Sequence, residues 1–159
     1  MKKVITFLIF CTCTFTYTQA TESKVEEVLD GYMRAWAEHN ITKIDTFYAD
    51  DVAWYDLGTD SITKGKVKMS KAITDAFMGY VPDMYWEKSG DVIVSGNSIS
   101  YEWVYAGTFT GMWGDVNVKD KKFSIKGMST TIINKNGKII WQKDYYDMYS
   151  FMKQLGVLK

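Results

Sequence analysis

From Lys24 to His39, apolar residues recur at Val25, Val28, Leu29, Tyr32, Met33 and Trp36, the offsets that place one stripe along a helix face. Ser23 followed by Glu26 reads as a capping box opening that helix. A shorter helical stretch covers Lys43 to Tyr48, with Thr42 placed to cap it, and Val52 to Asp56 then reads as a short strand. Met69, Ala72, Ile73, Ala76, Phe77 and Tyr80 predict a third helix, again apolar on one face. Pro82 lies just past its end, where helices stop.

Beyond Pro82 the period shortens. Four strand-like runs follow, Met84 to Val94, Ser98 to Phe109, Lys122 to Ile133 and Lys138 to Tyr146. Asn136-Gly137 joins the last two as a tight hairpin whose central residues need positive φ. Helices first and antiparallel strands afterwards give an α+β fold, a curved antiparallel sheet with three N-terminal helices on one face enclosing one pocket.

In the run Ser98 to Phe109, one face carries Ile99, Tyr101, Trp103, Tyr105 and Phe109, and the other Ser98, Ser100, Glu102, Val104, Ala106 and Thr108. Only one can look into the pocket. If the small and polar face does, the aromatic face needs other cover, and a second copy of the chain would supply it in a homodimer.

The first twenty residues have a different character. Met1-Lys2-Lys3, an apolar stretch from Val4 to Phe15 and Thr18-Gln19-Ala20 make the layout of a secretory signal peptide cleaved after Ala20, which predicts a secreted or periplasmic protein. The apolar stretch is too short for a permanent membrane span, which takes roughly 20 residues. Residues 21–159 then form a single domain. Cys11 and Cys13 both leave with the presequence, so the mature domain holds neither a disulfide nor a thiolate metal site. Lys2 and Lys3 leave too, and 17 basic residues against 19 acidic ones give a net charge of −2. No basic surface is offered to nucleic acid.

Charged residues inside strands carry the most information, because a bare buried charge costs several kcal/mol. Asp56, Glu102, Lys126 and Asp144 are the four to explain, each with a place on the solvent side of its strand as the alternative. Asp56 stands where a strand enters a loop beside Trp54 and Tyr55, surroundings that raise a carboxyl pKa toward the value a general acid or base needs; equally, it is placed to cap the turn ahead of Gly58. Asp144 shares a face with Ile140, Gln142 and Tyr146. His39, the single histidine, falls at a helix end, where its cation suits the dipole. One histidine and no cysteine in the mature domain give no basis for a zinc or copper site, and no cofactor is predicted.

Three stretches, Tyr48 to Asp56, Gly107-Thr108-Phe109-Thr110-Gly111 and Gly137 to Asp144, occur in the order found in SnoaL-like proteins. The chain from Val25 to about Val157 resembles this family of the nuclear transport factor 2 superfamily, whose relatives include ketosteroid isomerase and limonene epoxide hydrolase. The resemblance implies a cone-shaped domain around one pocket. It also implies that Asp144 matches the acid/base aspartate of polyketide cyclases, Asp56 the general base of ketosteroid isomerases, and Tyr32 their oxyanion-binding tyrosine. Lys126 stands where the isomerases carry a second acid, and Phe109 and Gln142 where cyclase-like members often carry histidine.

Two functions follow as expectations. In one, Asp144, with Asp56, moves a proton on a small, largely apolar or aromatic molecule in an isomerase, cyclase or hydrolase type of reaction, while Tyr32 or Lys126 meets developing negative charge. In the other, Trp54, Trp103, Trp113, Gln142 and several tyrosines hold an apolar or sugar-like ligand without chemistry.

Overall fold

The computed structural model describes residues 13–158. Four helices, α1 (Cys13–Ala37), α2 (Ile41–Phe47), α3 (Lys66–Ala72) and α4 (Met148–Leu155), accompany six strands, β1 (Tyr48–Asp56), β2 (Ser61–Lys64), β3 (Tyr85–Ser95), β4 (Ser98–Trp113), β5 (Val116–Ile133) and β6 (Ile139–Tyr146). A π-helical segment, Ile73–Met78, continues α3. The α+β class expected from the chain is the one observed.

The stripe on α1 is buried: Val25, Leu29, Tyr32, Met33 and Trp36 are each 7% exposed or less. The helix extends upstream to Cys13, so Ser23 lies inside it rather than at its start. Residues 1–12 of the expected presequence lie outside the described residues. For α2 the cap is Asn40, not Thr42: the Asn40 side chain accepts from the Lys43 backbone N–H at 3.0 Å, and the helix begins at Ile41.

The sheet runs β2-β1-β6-β5-β4-β3 and is mixed. All neighbours are antiparallel except β1 and β6, which are parallel, a departure from the antiparallel expectation. These two strands are far apart in sequence, so no hairpin turn dictates their direction. The β5–β6 turn also differs. Gly137 has φ 73 but Asn136 is not in the positive region, and Asn134 N–H donates to Lys138 O while Gly137 N–H donates to Asn134 O, a three-residue loop with glycine at the left-handed position.

α4 is the helix the hydrophobic pattern missed. Asp147 caps it, accepting from Ser150 N–H at 3.0 Å, and Gly156 ends it at φ 75, a conformation that costs glycine nothing. On β4, Gly107 and Gly111 leave room for neighbours: an added Cβ would come within 2.4 Å of Val81 and 2.6 Å of the Tyr80 ring. The glycines of that family stretch therefore let Tyr80 and Val81, which follow the π-helical segment, settle onto the strand.

Side-chain alternation resolves the ambiguity in β4. Ile99, Tyr101, Trp103, Tyr105 and Phe109 are all buried beneath the helices, whereas on the other face Glu102 is exposed, Ser98, Ser100, Val104 and Thr108 are half-buried, and only the small Ala106 is buried. The aromatic face thus needs no second chain to cover it, which removes the reasoning that led from it to a homodimer.

Candidate functional site

Strand register decides which polar side chains meet. Parallel pairing sets Trp54 of β1 beside Gln142 of β6, and Asp56 beside Asp144. Side chains alternate along a strand, so Gln142, Asp144 and Tyr146 face one cavity together with Trp54 and Asp56. Antiparallel pairing with β5 adds Ser129 beside Asp144 and Thr131 beside Gln142. Among the described residues, Asp56, Ser129, Thr131, Gln142 and Asp144 are the buried polar and charged side chains outside the aromatic set, and the registers make them one patch.

Asp144 is held by donors at both oxygens. Trp54 Nε1 donates to Oδ2 at 2.6 Å, Ser129 Oγ to Oδ1 at 2.6 Å, and Gln142 Nε2 to the two oxygens at 3.0 and 3.3 Å. The proton positions follow from the outer partners. Trp103 Nε1 can only donate, and does so to Ser129 Oγ at 2.8 Å, which leaves the Ser129 proton for Asp144. Tyr32 donates to Gln142 Oε1 at 3.2 Å, turning the amide nitrogen toward the carboxylate, and Tyr48, whose hydroxyl lies 2.6 Å from that of Tyr32, is then the donor of their pair.

Burial and hydrogen bonding oppose each other here. Burial disfavours the carboxylate and pushes the Asp144 pKa up to about 6; the bonds from Ser129, Gln142 and Trp54 pull it back, and the nearby Asp56 adds a smaller rise. The group therefore titrates near neutrality, as a proton-transfer residue must. Tyr32 is raised well above the ordinary phenol range, chiefly by burial and then by Tyr48, so it stays a neutral donor.

Asp56 sits at the end of β1. The Tyr146 hydroxyl donates to both its oxygens at 3.1 Å, and Thr59 N–H donates to Oδ1 at 3.1 Å. It both caps the turn around Gly58 and faces the cavity, so the two roles weighed for it coexist. Burial, followed by the Asp56 charge, raises the Tyr146 hydroxyl and keeps it protonated.

The cavity is tight, with a volume of about 70 Å³ open to the centres of water-sized spheres, room for a few waters or one compact organic group. Its walls are aromatic. Trp36 and Trp86 meet edge to face at 4.8 Å between centroids, and Phe77 from the π-helical segment lies 5.6 Å from Trp54 and 5.8 Å from Tyr105. The Trp36 Nε1 proton is buried without an acceptor. Among the described residues no Lys, Arg or His lines the cavity.

Of the residues singled out from sequence, Asp144, Asp56, Tyr32, Trp54, Trp103 and Gln142 all line this cavity. Lys126 does not. It is exposed on the outer face, because its neighbour Ile125 is the one turned inward, and strand period 2 forbids both. His39 is a surface residue at φ 51 whose Nε2 donates to Met84 O at 2.6 Å. Sequence reasoning missed Tyr146, Tyr48 and Ser129 as site residues. Tyr146 shares the face of Gln142 and Asp144 and could have been found by period alone; Ser129 depends on the β5–β6 register.

Comparison with known proteins adds the family. The family model for SnoaL-like polyketide cyclases matches residues 26–155. Comparison with curated proteins returns no match. Similar solved structures include TsrD from Streptomyces laurentii, 18% identical with a TM-score of 0.72 over 86% of this chain and 97% of that one. A protein of ketosteroid isomerase-like fold from Catenulispora acidiphila, solved with trimethylamine, is 21% identical with a TM-score of 0.66 over 83% of this chain and 94% of its own. TerC, co-crystallised with polyporic acid, is 11% identical with a TM-score of 0.69 over 84% and 98%. At these identities the likeness speaks to the fold alone.

Proposed function

This chain belongs to the SnoaL-like polyketide cyclase family, and from its two facing aspartates we propose an exported acid/base enzyme that moves a proton on a small, largely apolar molecule. The observation that carries this reading is the pairing of Asp56 with Asp144 on adjacent strands, both opening into one aromatic cavity. Asp144 takes the proton and returns it, its pKa of about 6 balancing basicity at neutral pH against ease of reprotonation. With no cation in the lining among the described residues, developing negative charge is met by a neutral donor, for which the Trp36 N–H, buried without an acceptor, is placed.

5-Nitrobenzisoxazole tests this, since it opens to a coloured product when a base removes one proton from carbon. The wild-type protein should accelerate the opening, with a rate that climbs as pH passes about 6, and Asp144→Asn should lose roughly 10²- to 10⁴-fold. An Asp144→Asn protein as active as wild type overturns the assignment.

A second reading is a binding module without chemistry. It is favoured by the donors that already engage both Asp144 oxygens, which is how a purely structural carboxylate is held. Ligands as unlike as trimethylamine and polyporic acid in two proteins of this fold make the ligand a matter of each cavity's own lining. Export rests on the Met1 to Ala20 pattern. A homodimer is supported by the outer face, where Met128 pairs with Tyr145 and Ile132 with Trp141. N-terminal sequencing of the exported protein, expected to begin at Thr21, and light scattering at high concentration test these two points; an intact presequence or a monomeric mass sinks the respective one.

A further inference from the structure

The charge of the cavity is one-sided. Among the described residues, the only charged ones in its lining are Asp56 and Asp144, set side by side by the β1–β6 register. Among the described residues, the four ion pairs join Lys43 to Glu38, Lys66 to Asp50, Lys71 to Asp75 and Lys88 to Asp30, and none reaches either aspartate. Neutral donors alone, from Trp54, Ser129, Gln142, Tyr146 and the Thr59 backbone, serve both. Taking a carboxylate out of water without a cation is costly, and here the cost is incurred twice at neighbouring positions.

The walls have the matching property. Trp36, Trp54, Trp86, Trp103, Phe77 and Tyr105 line the same cavity as the two carboxylates, and an aromatic ring attracts a cation toward its face. Trp54 is fixed in place because its indole N–H is bonded to Asp144. An anionic ligand would be repelled by this lining. A neutral one would leave both carboxylates without a counter-charge. A compact cation with an apolar skin would answer both features, with alkyl groups on the rings and charge near the aspartates.

We infer that the pocket accepts a small organic cation of the alkylammonium class, bound between the paired aspartates and the aromatic wall. This rests on the reading that this cavity is the functional site, and it names the chemistry of what enters it. The preference for a cation weakens as Asp144 gains a proton. The other titratable groups facing Asp144 are Asp56, Tyr32, Tyr48, Tyr101 and Tyr146; burial holds all four tyrosines in their neutral form.

The test compares choline with 3,3-dimethylbutan-1-ol, which replaces the ammonium nitrogen by carbon at nearly the same shape. Calorimetry on the wild-type protein at pH 7.5 should show choline bound about tenfold or more tightly than the alcohol, from cation–π attraction and the two carboxylates together. The ratio should fall severalfold at pH 5 and in Asp56→Asn. Equal binding of the two probes, tighter binding of the alcohol, or no binding of choline at millimolar concentration overturns the inference. Each of those outcomes leaves the 5-nitrobenzisoxazole result standing, because that neutral probe reports proton removal and not the preference for charge.

Discussion

The two faces of the sheet follow opposite rules, although the same strands make both. On β5, Ile125 looks into the cavity and Lys126 into solvent; on β6, Asp144 is buried and Lys143 lies over the Tyr55 ring at 4.9 Å on the outside. Outside, a charge needs no partner, and its neighbours adapt to it. Inside, each polar atom must be answered, and the answers propagate. Asp144 needs Ser129, Trp54 and Gln142; Ser129 is oriented by Trp103 and Gln142 by Tyr32. A charged residue in a strand is therefore informative only once its face is known.

The pH dependence of stability should expose this difference most strongly. The folded-state pKa of Asp144 lies at about 6, above the ordinary value of 3.8. Below 3.8 the group is protonated in both the folded and unfolded chain and contributes nothing. As pH rises from 3.8 through about 6, the unfolded chain ionises first, and the folded state loses about 3 kcal/mol. Asp144→Asn lacks that titration. It carries its own fixed cost, since its amide NH₂ meets donors where an acceptor is needed. Denaturant unfolding across this range should show the variant gaining about 3 kcal/mol relative to wild type; parallel stability curves would mean that Asp144 is not desolvated.

Packing on the inner face should tell next. Gly127 lies under Trp103, and an added Cβ would come 2.3 Å from the indole and 2.6 Å from the Tyr145 carbonyl oxygen. The backbone contact cannot swing away, and moving Trp103 breaks its bond to Ser129. Gly127→Ala should cost about 1–3 kcal/mol, toward the upper end of what overpacking does, and should also shift the pH–rate profile because Asp144 loses its oriented donor. A stability change without any shift in that profile would separate Trp103 from the site.

How far the sequence reveals this arrangement depends on whether a signal is local. The α1 stripe is local and was legible down to Tyr32 and Trp36. So was the division of β4 into two faces, but not which one turns inward; Tyr101 and Ser100 trade places only through the helices that cover one side. Asp56 and Asp144 were both legible as candidates, since each is a charge in an apolar strand. Their adjacency was not, because it depends on a parallel pairing between strands nearly ninety positions apart. α4 was legible in principle from Asp147 and Gly156, yet its eight residues carry too short an apolar pattern to stand out. Lys126 was misread for the same reason that Ser129 was missed: alignment with relatives gives a position along the chain, and the pleat gives the direction.

Lys126 provides the smallest expected effect and the sharpest control. It is exposed, pairs across the sheet with Val104, and flanks the two inward positions Ile125 and Gly127. It forms none of the four ion pairs found among the described residues. Replacing it by alanine removes a solvated charge from the outer face, where substitutions stay within about 0.5 kcal/mol. Lys126→Ala should therefore leave unfolding free energy, 5-nitrobenzisoxazole turnover and the choline preference at their wild-type values, one residue away from a glycine whose change disturbs them. A loss of turnover in Lys126→Ala with stability intact would place a cation in the reaction after all, and would break the distinction between the two faces at the position where it is drawn most finely.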